Sequence, residues 1–174
     1  MNFNLSEEHL LIRDTARSFA QKELMPGVIE RDNNQQFPSD GVKKMAELGF
    51  LGMMTSPNYK GGGMDTISYV LAIEEISKCD ASAAVIMSVN NSLVCWGLEE
   101  YGTDKQKTKY LTKLASGELL GAFCLSEPEA GSDATSQKTT AIDMGDHYLL
   151  NGTKNWITNG SSASIYLVMA QTDV

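Results

Sequence analysis

The stretch ASAAVIMSVNNSLVCWGLEEYG, residues 81–102, constrains the fold most, because apolar side chains fall on every face of the helix that its spacing predicts. A helix without a polar face is buried all round, so the rest of the chain must supply a shell of elements around it. The preceding residues do so. Ser6 reads as an N-cap, with Glu7 and Glu8 in the first turn where the helix dipole favours them and Leu5 placed to staple against Leu10. Ile12, Ala16, Phe19, Ala20 and Leu24 then keep helical spacing until Pro26 ends the pattern. A second helix is predicted over residues 39–48, with Val42, Met45 and Ala46 inward and Gly49 as its stop. A third begins near Thr66 in ISYVLAIEEIS. Beyond the apolar helix, Thr103 and Gln106 predict a capping box, followed by an inner stripe of Tyr110, Leu111 and Leu114 ending near Gly117.

After Gly117 the hydrophobic period changes from 3.6 to 2. LLGAFCL is a short apolar run, HYLLNG and KNWITNG read as strands divided by Asn151-Gly152, and SIYLVMA closes the chain. The expected fold class is therefore α+β: an N-terminal all-α bundle over residues 1–118 and the start of a β-barrel-like domain over 119–174. So few strands cannot close a β-domain, and the last apolar run would leave a bare edge. The expectation is a fragment of a longer chain rather than an edge covered by a partner. The Gly61-Gly62-Gly63 run reads as a flexible connection.

The formal charge of −8 excludes a nucleic-acid binder, which needs a dense Lys/Arg face. It does not exclude a phosphorylated small molecule held by a few backbone N–H groups. Cys79, Cys95 and Cys124 are odd in number and set among apolar neighbours, so they read as reduced core residues. No metal-ligand spacing occurs. The start MNFNLSEEHL has neither the basic flank nor the apolar region of a signal peptide, and no run is read as long enough to span a bilayer. The Asn-x-Ser/Thr triplets are chance matches in that setting, and a soluble, reducing, cytoplasmic location is expected.

FCLSEPEAGSDA, residues 123–134, turns an apolar strand abruptly into a loop dense in hydrogen-bonding groups. Composition alone favours a solvated turn. Glu127 and Glu129 make a poor catalytic pair, because acid/base carboxylates face each other across a cleft and these are neighbours in one loop. A cofactor cradle explains more: Ser126 ends the strand, Gly131 permits φ > 0 and close backbone approach, and Ser132 and Asp133 can order the turn or meet a ligand. No nucleotide-binding glycine motif is present. In NGTKNWITNG, an extended strand would point Trp156 and Thr158 to one face and Ile157 to the other, offering an aromatic ring system a flat apolar surface and a hydroxyl. A core tryptophan beside a surface threonine is the plainer reading of those residues alone.

Taken together, FCLSEPEAGSDA and NGTKNWITNG resemble the acyl-CoA dehydrogenase family, as do YKGGGMDTISYVLAIEEISKCDASAA, EEYGTDKQKTKYLTKLASGE and LSEEHLLIRDTARSFAQKELMP. The wording is nearest to short-chain and branched-chain members, and acyl chain length is not read from these residues. The resemblance runs end to end and implies a helical domain, a middle β-domain and a C-terminal helical domain absent here, with FAD at their junction and usually a homotetramer. It implies flavin contacts at Phe123, Leu125, Ser126, Gly131, Ser132, Trp156, Ile157 and Thr158, with Ser132 also assigned to substrate. The implied reaction is α,β-desaturation of an acyl-CoA, an α-proton leaving to a carboxylate and a hydride to the flavin, with electron-transfer flavoprotein as acceptor. Donors such as the Ser126 and Thr158 hydroxyls would meet charge developing on the ring, and Trp156 would keep water off it. The family's usual EPGAGSD appears as EPEAGSD, with Glu129 replacing a glycine. The family's catalytic glutamate lies in the missing domain, so no residue of this sequence is assigned as base. An acyl-CoA oxidase, or a non-catalytic oligomerisation or binding module, are the alternatives.

Overall fold

The structure, a computed structural model, describes residues 4–173. Residues 1–3 of the MNFNLSEEHL reading and Val174 of the 119–174 unit lie outside the described residues.

Helix α1 (Glu7–Phe19) starts at Ser6, whose hydroxyl accepts from the His9 N–H while His9 Nδ1 accepts from the Ser6 N–H. It buries Ile12, Ala16 and Phe19 and widens into a π-turn, Ala20–Leu24. A short helix α2 (Val28–Asn33) follows; it buries no side chain, so no apolar stripe announced it. Helix α3 (Ser39–Glu47) stops at Gly49, which is left-handed at φ 77°. Asp65 caps α4 (Thr66–Ser77), and Asp80 caps α5 (Ala81–Ser88). The predicted central helix continues from α5 through a π-bulge, Val89–Cys95, into α6 (Trp96–Tyr101). The last predicted helix is α7 (Asp104–Gln106), a π-turn and α8 (Thr112–Ala115), begun by the expected Thr103–Gln106 capping box.

Two buried amides explain how the central helix is held at its bulge. Asn90 Nδ2 donates to Leu51 O at 2.8 Å and Leu114 O at 3.1 Å, and its Oδ1 accepts from Gly121 N–H at 3.0 Å. Asn91 Nδ2 donates to Phe50 O and Met87 O, and its Oδ1 accepts from Met53 N–H at 2.8 Å. Both side chains are fully satisfied where an unpaired amide would be costly. By length and composition Ala81–Tyr101 is apolar enough to cross a bilayer, which corrects the reading that no run reaches that length. Its buried amides set one side of it into the bundle core, but Val85, Leu93, Trp96 and Tyr101 are exposed, so the helix is not buried all round as its composition predicts.

The first core gathers Phe19, Leu24, Met45, Ile76 and Met87 from α1 through α5. A second, around Val94, Leu111 and Leu114, lies beneath the first strand. The glycine run is not a flexible connection. Its N–H groups bond back to Gly52, Thr55 and Ser56, and a Cβ on Gly61 would sit 2.1 Å from Thr55 O. Glycine is needed there for backbone to pack on backbone.

Strand β1 (Gly121–Cys124) pairs in parallel with β4 (Ile165–Val168), Gly121 opposite Ile165. Between them, β2 (Thr140–Asp143) and β3 (Tyr148–Asn151) form an antiparallel hairpin. The hairpin therefore turns at residues 144–147, with Gly145 left-handed at φ 95°, and not at Asn151-Gly152. The α+β class holds, a helical bundle followed by two small sheets; no barrel closes among the described residues.

Candidate functional site

β1 rises from the second core and delivers Leu125 and Ser126, both half-buried, just past its end. The chain then reverses in a tight turn: Glu127 N–H donates to Ala130 O at 3.0 Å and Ala130 N–H to Glu127 O at 3.2 Å. Pro128 and Glu129 form its tip. Glu129 keeps a negative φ and pairs with Lys138, so a glutamate is accommodated in place of the family's glycine. Gly131 is not left-handed, and a Cβ on it would meet nothing within 4 Å. The expected close approach at Gly131 does not occur within the chain, and Gly131 and Ser132 lie exposed on the loop.

Glu127 is only 8% exposed and knots this loop together. It accepts from Lys138 N–H at 2.6 Å, Thr139 N–H at 3.0 Å and Lys154 Nζ at 2.7 Å. These donors, the Lys138 N–H foremost, hold its carboxyl down to about 2. A carboxylate so fully engaged is a poor proton acceptor, in keeping with a structural rather than an acid/base role for Glu127. Lys154 also donates to Leu125 O at 3.0 Å and Gln137 Oε1 at 3.2 Å. Sequence reasoning missed Lys154, because a lysine in an Asn-Gly-Thr-Lys run looks like any solvated lysine.

The segment after β3 is not the expected strand. Trp156 and Asn159 are both left-handed, at φ 58° and 66°, and Gly160 N–H donates to Ile157 O at 2.9 Å. The alternation expected of Trp156, Ile157 and Thr158 is replaced by a looped strap laid along β1. Asn155 N–H donates to Ser126 O at 2.8 Å, which sets Trp156 beside Ser126. This bond brings the start of the strap against Leu125 and Ser126, and Ile157 and Thr158 follow Trp156 along the strap. Phe123 lies in β1, its side chain turned to the second core, and no hydrogen bond joins Gly131 or Ser132 to the strap.

Trp156 is 94% exposed, and it sits among unused donors. Among the described residues, the hydroxyls of Ser126 and Thr158 and the N–H groups of Ile157 and Thr158 make no hydrogen bond. Thr158 and Asn159 border an open groove of about 800 Å3 together with Ala81, Ser82 and Ile86. A flat apolar side chain on a segment that carries free donors suits an aromatic ring with acceptor atoms at its edge, and that donor set fits a flavin.

Comparison with known proteins agrees. The family description "Acyl-CoA dehydrogenase, N-terminal domain" matches residues 6–118, and "Acyl-CoA dehydrogenase, middle domain" matches 122–174. The short-chain specific acyl-CoA dehydrogenase of Clostridium acetobutylicum is 44% identical over 173 residues, 99% of this chain and 46% of that protein. A chain of the solved structure described as "Electron transferring flavoprotein of Acidaminococcus fermentans: Towards a mechanism of flavin-based electron bifurcation" is 46% identical with a TM-score of 0.96, covering 99% of this chain and 46% of its own. A glutaryl-CoA dehydrogenase from Mycobacterium smegmatis in complex with FADH2 is 37% identical with a TM-score of 0.92, covering 97% of this chain and 44% of its own. The chain spans less than half the length of these relatives. From its first capped helix to its last strand, it belongs to the acyl-CoA dehydrogenase family.

Proposed function

We propose that this chain forms the flavin-facing part of an FAD-dependent dehydrogenase that desaturates short-chain acyl-CoA thioesters. The carrying observation is exposed Trp156, held beside the free donors of Ser126 and Thr158 by the Asn155–Ser126 bond. Bound FAD would supply the two-electron acceptor for the desaturation. Ser126, Ile157 and Thr158 would present hydrogen-bond donors to the edge of the ring, the strap that carries the last two being tied at Ser126 O by Asn155 N–H. Trp156 would cover the apolar face of the ring and exclude water, with Leu125 beside it and Phe123, packed on the second core, reaching it through the β1 backbone. Gly131 and Ser132, out on the exposed loop, would meet the ligand's polar carrier, Ser132 on the substrate side. No residue here is assigned as base. The proposal includes the division into units 1–118 and 119–174, electron-transfer flavoprotein as acceptor, assembly into a homo-oligomer, and a cytoplasmic location in keeping with three free thiols.

The test joins residues 1–174 in frame to the part of the Clostridium acetobutylicum enzyme beyond the matched segment. The purified protein should carry flavin whose visible band bleaches anaerobically with butyryl-CoA. A protein that binds no flavin, or whose bound flavin does not bleach, contradicts the proposal; oxygen uptake coupled to turnover identifies an oxidase instead.

A further inference from the structure

Gly121, the first residue of β1, is gripped on both sides by asparagine amides. Its N–H donates to Asn90 Oδ1 at 3.0 Å, and its carbonyl accepts from Asn159 Nδ2 at 2.9 Å. A Cβ on Gly121 would lie 2.6 Å from Val94 Cγ1, so the strand begins hard against the core helix. Asn90 belongs to that helix, and Asn159 ends the strap that carries Trp156, Ile157 and Thr158. The strap is therefore tied to both ends of one strand: through Asn155 N–H to Ser126 O, and through the Asn159 side chain to Gly121 O.

Asn159 meets two demands at once. Its backbone is left-handed at φ 66°, a conformation that asparagine tolerates better than most residues. Its carbonyl accepts from Ser162 N–H at 2.9 Å and Ala163 N–H at 2.7 Å, closing the turn. Glycine would keep that backbone but lose the amide donor, and aspartate would set an acceptor against the Gly121 carbonyl. The other end of the amide, Oδ1, is buried without a donor.

We propose that Asn159 is a positioning residue, which fixes Trp156, Ile157 and Thr158 against β1 in the arrangement that receives the ligand ring. The identity of that ring as flavin rests on the function proposed above. The test uses the joined protein in four forms: unaltered, Asn159→Gly, Asn159→Asp and, as a control at an exposed residue just past the strap, Ser161→Ala. Hydrogen exchange is followed without flavin, and FAD affinity and the shape of the bound visible band are measured separately. Loss of one buried hydrogen bond should speed exchange of amides 155–163 and weaken FAD binding by about tenfold each in both Asn159 variants. The band shape should change as well, while amides of α4 and α5 exchange as before and Ser161→Ala matches the unaltered protein. Unchanged exchange at 155–163 overturns the proposal. Faster exchange with the same FAD affinity and band shape also overturns it, leaving the flavin reading intact. If the unaltered protein takes up no FAD, the flavin reading fails, and the exchange result alone decides whether Asn159 clamps the strap.

Discussion

Trp156 combines two conditions that folding alone does not reward: a large aromatic side chain left in water and a left-handed backbone, which costs about 1–3 kcal/mol in a non-glycine residue. Replacing the indole with alanine should therefore change unfolding free energy by no more than about 0.5 kcal/mol in urea titrations, while FAD affinity falls well beyond that. Glu127 is the opposite case. Its lowered carboxyl contributes stability that is fully present above its unfolded value of 4.5 and is lost as pH falls toward about 2. Glu127→Gln should lower stability at neutral pH and flatten its decline across that window. Part of the slope should remain, because Glu75 is held down to about 2 by Arg17 and Lys78, and Asp65 to about 2 chiefly by the Ser68 N–H. Thermal melts of the two proteins through that pH range measure the difference. Ser126 and Trp156 stood out in the sequence because their residue types declare a use. Lys154 and Asn159 did not, since a buried knot and a left-handed clamp are created by the fold and leave only ordinary turn residues behind.

The elements that could be read from the sequence are those with an apolar stripe and a cap. Ser6, Thr103 and Gly49 marked real ends, and Leu111 and Leu114 a real inner face. The errors have physical causes. α2 buries nothing. Asn151-Gly152 imitates a hairpin turn, but the positive φ values at Trp156 and Asn159 prevent a strand from following it. Gly61-Gly62-Gly63 looks loose but is packed backbone to backbone. The asparagine pair in the central helix would pass for polar interruptions of an apolar run, yet Asn91 bridges the 50–53 turn to its own helix. Asn91→Leu should strand several buried backbone groups and cost about 3 kcal/mol in urea unfolding. Gly61→Ala should cost about 1–3 kcal/mol by overpacking, read in the same experiment.

Across the molecule, order is concentrated where the helices and β1 share a core. The β2–β3 hairpin leaves Ile142, Leu149 and Leu150 about half exposed, and a two-stranded hairpin is marginal alone. Amides of residues 140–151 should therefore exchange faster than those of α4 and α5 in the 174-residue chain, and slow when the chain is joined to the remainder of a relative. The site itself belongs to neither sheet: it is a strap stretched over one strand, with donors that the chain leaves free. A crystal structure of the flavin-loaded joined protein tests this most directly. The ring should lie against Trp156 with Ser126 and Thr158 within about 3 Å of its edge atoms. A flavin bound elsewhere, or Ser126 and Trp156 turned to different sides of β1, contradicts it.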